Sequence, residues 1–207
     1  MCLLFETIRV ENGVPLNVVW HELRMNQARA EFWPDCGNIV LANFLVVPGE
    51  MSSGIVRCNI VYGKEIKEIT FKSYEKRIIR SLKLVSCDNI DYSFKFFDRS
   101  HLERLFELRE NCDEIIIVKN GYITDTSISN LIFFNGVQWF TPSRPLLNGT
   151  CRQRLISAGL VSEREITIDD LTEFIGCKLI NAMRDPDKEE MINIYVCSIG
   201  RLFSTIP

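Results

Sequence analysis

The chain has 207 residues, of which 46% are hydrophobic and 25% charged, an ordinary composition for a globular protein with a real core. A formal charge of −3 and a pI near 5.5 give no chain-wide attraction for nucleic acid or an anionic membrane, so any phosphate site must be local. Eight cysteines lie scattered without a C-x-x-C pair, and His21 and His101 are the only histidines. That pattern reads as reduced thiols in a cytoplasmic protein without a metal site. No run approaches the roughly 18 apolar residues of a membrane span, and the opening MCLLFETIRV is too poor in apolar residues for a signal peptide.

Residues 5–10 alternate as a strand, turned at Asn12-Gly13 toward 15–19. Residues 20–32 change to helical composition, with Leu23, Ala28 and Phe32 available for an apolar stripe and with His21 and Arg24 near the start. Residues 36–52 are irregular, with 41–47 the one candidate strand, and 55–62 and 66–71 read as strands. Cys87-Asp88-Asn89 marks a boundary between a small lobe, 1–88, and a larger lobe, 89–207. In 92–97 a strand would set Tyr92, Phe94 and Phe96 on one face and Lys95 among aromatics. Lys95 then reads either as an edge-strand lysine that blocks aggregation or as a desolvated amine suited to attack a carbonyl.

Ser100 and Glu103 have the form of a capping box before an apolar helix face of Leu102, Leu105, Phe106 and Leu108. Residues 114–118 form a strand turned at Asn120-Gly121 into the richest stretch, 121–152. There Tyr122, Ile123 and Thr124 lead to an acid, Asp125, held near apolar neighbours. Asn135-Gly136 favours a two-residue type I′ hairpin between 131–134 and 137–140. Leu147, Asn148, Gly149 and Thr150 then open a helix over 151–158, whose first backbone N–H groups suit an anion. Downstream, 166–168 is a short strand, Asp169 begins a helix ending at Gly176, 178–183 is a buried strand end, and 192–199 makes a last strand.

The order F-E-T-I-R-V, H-x-x-R, K-x-x-x-R, T-D-T-S-x-S-N, T-P, L-L-N-G-T-x-R and I-N-A-M resembles the fold-type IV pyridoxal phosphate enzymes, also called class IV aminotransferases. The resemblance implies an α+β, two-lobed fold, with a small N-terminal α/β lobe and a C-terminal lobe of barrel-like sheet. It implies pyridoxal 5′-phosphate as cofactor and a homodimer. It assigns Lys95 as the Schiff-base lysine, Arg24 and the Gly149, Thr150, Cys151 helix start to the cofactor phosphate, and Asp125 to the pyridine nitrogen. Leu147 would pack on the ring and Asn181 would lie near the phosphate or its approach. Taken without the resemblance, Arg24 is a solvated helix charge, and a guanidinium fork equally matches phosphate oxygens.

Three departures stand out. Aspartate replaces the family's usual glutamate at 125, Gly-Thr-Cys replaces Gly-Ile-Thr at 149–151, and Lys95 lies only 30 residues before Asp125. The I-N-A-M loop is nearer to aminodeoxychorismate lyases, which release pyruvate to give 4-aminobenzoate in folate synthesis, than to the Thr/Ser-rich loop of transaminases. An aminotransferase for branched-chain or D-amino acids and a non-catalytic cofactor-binding homologue are the alternatives.

Overall fold

The computed structural model describes residues 2–194, together with 196–197 and 201–202. Its backbone separates into two compact units, one formed by Met1–Lys76 with Phe94–Asp98 and one by Arg77–Ser93 with Arg99–Pro207. The boundary therefore falls at Lys76 rather than at residue 88, and Phe94–Asp98, with Lys95, packs with the first unit rather than with the C-terminal one. Aromatic burial explains the return. Phe94 and Phe96 stack edge-on against Phe32, with ring centroids 4.8 and 6.2 Å away.

The first unit is a four-stranded antiparallel sheet in the order β2-β1-β3-β4, with β1 Leu4–Glu11, β2 Val14–Pro15, β3 Ile55–Tyr62 and β4 Ile66–Ser73. Alternation in β1 turns Leu4, Ile8 and Val10 into a core shared with Val56, Cys58 and Ile60 of β3. Helix α1, Val18–Phe32, closes that core with Met25 and Ala28. Leu23, expected inside, is 46% exposed, and His21 takes an inward place instead. The strand expected at 41–47 is absent. Leu41–Asn43 forms a 3-10 turn there, and Leu41 drops into the core. Residues 92–97 form no strand either, because their backbone meets β1 by one bridge, Leu4 to Phe96.

The second unit holds two five-stranded sheets. One runs β13-β14-β5-β6-β7, with β5 Leu82–Ser86, β6 Glu114–Lys119, β7 Tyr122–Thr126, β13 Val196–Cys197 and β14 Arg201–Leu202. The other runs β10-β9-β8-β11-β12, with β8 Asn130–Phe134, β9 Trp139–Pro142, β10 Ser162–Arg164, β11 Gly176–Ile180 and β12 Ile192–Asn193. One core joins both, from Leu82, Ile116, Val118 and Ile123 to Leu131, Phe133, Cys177 and Leu179, which gives the barrel-like character. Helix α2, Ser100–Glu107, is capped by Arg99 rather than by a Ser100 capping box, and it buries Leu102 and Leu105 while Leu108 stays 51% exposed. The helix expected from Asp169 is a 3-10 turn, Asp169–Glu173, and Gly176 starts β11 rather than ending that helix. At 166–168, Tyr122 makes a single bridge to Thr167. The last expected strand, 192–199, lies partly outside the described residues, and its described part divides into β12 and β13.

The Asn-Gly dipeptides behave differently. Asn12-Gly13 (φ 48° and 81°) and Asn120-Gly121 (φ 51° and 81°) both have positive φ at their two central positions, the type I′ pattern, and link paired Glu11 to Val14 and Lys119 to Tyr122. At Asn135-Gly136 only the glycine is positive, at 96°. There the Asn135 side chain accepts from Val137 N and Gln138 N at 3.0 and 2.9 Å, so the hairpin forms one residue later with Gly136 first in its turn, as in type II′. No atom lies within 4 Å of a Cβ built on Gly121, so Gly121→Ala meets backbone strain alone. It should destabilise by about 1 kcal/mol, and a denaturant midpoint equal to wild type would disprove the turn assignment.

Candidate active site

In the first unit the inward face of β1 carries one acid among its apolar residues. Glu6 is 0% exposed, and a buried carboxylate must be paired. Helix α1 supplies the partners from one side. His21 Nδ1 lies 2.7 Å from Glu6 Oε2, while Arg24 donates from Nε to Oε1 at 2.9 Å and from Nη2 to Oε2 at 2.5 Å. Burial by itself would raise the Glu6 pKa, but the Arg24 charge and the His21 hydrogen bond outweigh it and hold it at about 2. Burial lowers the His21 pKa against the pull of Glu6, with Arg24 and Lys95 adding to the lowering. His21 thus packs and hydrogen-bonds within its unit. Arg24 is not a solvated helix charge; it is a guanidinium with its plane fixed.

Lys95 belongs to the same unit. Its carbonyl accepts from Phe5 N at 3.0 Å, Phe97 N donates to Leu3 O at 2.9 Å, and the Lys95 Nζ lies 4.3 Å from the Phe5 ring centroid. The aromatic surroundings expected for Lys95 therefore come chiefly from β1, whereas Phe94 and Phe96 turn toward Phe32.

In the second unit Asp125 is the next-to-last residue of β7 and is 5% exposed. Its Oδ1 accepts from Asn130 Nδ2 at 2.8 Å and its Oδ2 from Leu147 N at 2.9 Å. Desolvation dominates these neutral donors and the more distant Arg152 charge, and pushes the Asp125 pKa up to about 6. Asn130 is the hinge of the arrangement. The same Nδ2 also donates to Leu147 O at 2.8 Å, and a Cβ placed on Gly149 would come 2.0 Å from Asn130 Oδ1. Glycine at 149 is therefore dictated by Asn130, not by φ.

Gly149 caps helix α3, Thr150–Ser157, without a side-chain bond, and Thr150 and Cys151 fill its first turn in buried positions. Burial raises the Cys151 thiol pKa, so it is a packed thiol and not a nucleophile. Arg152 ties the helix start to the preceding loop through Asn148 Oδ1 at 3.0 Å, Pro142 O at 2.9 Å and Glu163. Asn181, just past β11, donates to Ser129 Oγ at 2.9 Å and Ile128 O at 3.2 Å, and so braces the turn between β7 and β8.

Asp125, Leu147, Gly149 and the α3 start are thus brought together within one unit, with Asn181 bracing the turn beside them, and Arg24 and Lys95 share the other with Glu6. Sequence reading missed Glu6 and Asn130. Both had a signal: an acid at an inward position of an alternating strand, and an amide closing the T-D-T-S-x-S-N motif.

Two outcomes follow from this geometry. Gly149→Ala should cost about 2 kcal/mol, because Asn130 must give up its bonds to make room. In an Asn130→Ala background it should cost markedly less, and equal costs in the two backgrounds would refute the contact. Asp125 has a folded pKa raised to about 6 from 3.8. It favours the folded state most below pH 3.8, and that contribution is lost as pH rises through 6, by about 3 kcal/mol. Thermal melts of wild type and Asp125→Asn should therefore differ in slope between pH 4 and 6, and parallel curves would contradict the shift.

The amino-transferase class IV family model matches residues 95–185. An uncharacterized protein from Haemophilus influenzae is 40% identical over 182 residues, 87% of this chain and 97% of that protein. A crystal structure from Haemophilus somnus 129pt, provisionally named a 4-amino-4-deoxychorismate lyase, is 37% identical with a TM-score of 0.81, covering 88% of this chain and 97% of its own. A PLP-bound form of a hypothetical aminotransferase from Mycobacterium tuberculosis shares the fold at 16% identity and a TM-score of 0.70, over 98% of this chain and 84% of its own. With its motifs in order and relatives matched over nearly their whole length, this chain is an enzyme of the class IV aminotransferase family.

Proposed function

We propose that this enzyme is a pyridoxal 5′-phosphate-dependent lyase that converts aminodeoxychorismate to 4-aminobenzoate and pyruvate in the cytoplasm, as a homodimer serving folate synthesis. The observation that carries the cofactor reading is Asp125, a buried carboxylate bonded by neutral donors alone. Such a group gains from a cationic ring nitrogen. The other groups suit the same cofactor: an oriented guanidinium at Arg24, a glycine-led helix start at Gly149, Thr150 and Cys151, and an amine at Lys95. The lyase reading draws on the I-N-A-M loop and on the 37% identical relative.

When bound, pyridoxal phosphate supplies an aldehyde for the substrate amine and an electron sink for the electrons its α-carbon releases. Arg24 and the first N–H groups of α3 would hold the phosphate, Leu147 the ring face, and Asn181 the approach. Asp125 would keep a proton on the ring nitrogen. Lys95 Nζ would yield its place to the substrate amine and then accept the proton from the carbon bearing that amine. Pyruvate departs as the ring becomes aromatic, so substrate divides into the two products with no other reactant.

Purified protein should release pyruvate from aminodeoxychorismate. Amino transfer to 2-oxoglutarate without pyruvate release would replace the lyase reading with the aminotransferase one. Lys95→Ala should lose the visible absorbance of the cofactor-loaded protein and at least about a thousandfold in rate, whereas an unchanged spectrum would remove Lys95 from its role.

A further inference from the structure

The four-stranded sheet of the first unit has two faces, and α1 packs on the one bearing Leu4, Ile8 and Val10. Alternation puts Phe5, Thr7 and Arg9 on the other, directly across from Val61, Asn59 and Arg57 in the antiparallel register of β1 and β3. Lys95 marks this second face as the reactive one, since its Nζ stands by the Phe5 ring. Moving away from Lys95, the sheet presents a hydroxyl with an amide and then two guanidiniums.

Two atoms of this row are buried without a hydrogen-bond partner, Arg57 Nε and Asn59 Oδ1. An orphaned buried polar atom is costly, and here one is a donor and the other an acceptor. Arg9 and Arg57 also stand directly across from each other, a like-charge pair that costs stability unless an anion is near. Glu11 answers one of the two charges, accepting from Arg9 Nε at 3.2 Å and Nη2 at 3.0 Å.

We propose that Arg57 anchors a carboxylate of the substrate and that Asn59, one pair nearer Lys95, accepts from a hydroxyl or amine of the same molecule. The assignment rests on the reading of Lys95 as the reacting amine. Four residues of strand separate the Phe5 and Arg9 levels, roughly 13 Å, a span that the Arg57 side chain shortens without closing. That gap suits a carboxylate several bonds from the reacting amine, as in an amino-substituted ring acid. It does not suit the α-carboxylate of an amino acid, which stands two bonds away.

Calorimetric titration of the cofactor-loaded protein with 4-aminobenzoate and with aniline, its counterpart lacking the carboxylate, tests the anchor. Arg57→Met should weaken 4-aminobenzoate by about tenfold or more, while aniline binding and the cofactor absorbance stay as in wild type. Arg57→Lys keeps the charge without the fork and should fall between the two; it carries the test alone if Arg57→Met does not fold. Wild-type affinity for 4-aminobenzoate in the variants, or equal weakening of both ligands, would overturn the anchor. Failure of wild type itself to take up pyridoxal phosphate would instead overturn the proposed function, and the anchor with it.

Discussion

The second unit is arranged around one amide. Asn130 bonds the Asp125 carboxylate and the Leu147 carbonyl from one nitrogen, and its oxygen stands in the space a side chain at 149 would need. A carboxylate this deep cannot be left without donors, so the strand that carries it, the loop that caps it and the glycine that starts α3 are constrained together. The tight turn between β7 and β8 serves the same end. Thr126 Oγ1 accepts from Ser129 N at 2.9 Å, Arg99 donates to Ser127 O at 2.6 Å, and Asn181 braces the far side, so Asp125 and Asn130 meet across five residues.

The two units bury an acid each and treat it in opposite ways. Glu6 is surrounded by cationic and imidazole donors, and its charge is held down to acid pH. Asp125 is met by neutral donors, and its charge is disfavoured up to about pH 6. An acid already answered by an arginine serves to fix that arginine; an acid answered only by amides still gains from a further positive charge. Glu6 is accordingly a positioning residue for Arg24, while Asp125 is suited to meet a ligand.

Much of this was legible in the chain because local rules decided it. Asn12-Gly13 and Asn120-Gly121 made type I′ turns where paired strand ends allowed them, while Asn135-Gly136 did not, because the Asn135 side chain took over the next two N–H groups. Strands β1, β3, β4, β6 and β8 and the α3 start follow from periodicity and turn residues, whereas β5 and β10 carry no such signal and the strand expected to end over 178–183 is β11, Gly176–Ile180. Residues 92–97 show the limit. Their alternation is that of a strand, yet they meet β1 by a single bridge, Leu4 to Phe96, and their aromatic rings pack against Phe32 and Phe5.

By itself, then, the sequence determined the α+β class and the family, and it singled out the amine, acid and guanidinium proposed for the chemistry, since those depend on residue types in a fixed order. Only the tertiary structure decided that Lys95 packs with the first unit, that Arg24 is oriented by Glu6, and that Gly149 is glycine on account of Asn130. Each of those is a contact between residues from 18 to about 90 positions apart, and such contacts are set by which surfaces must be buried together rather than by any local pattern.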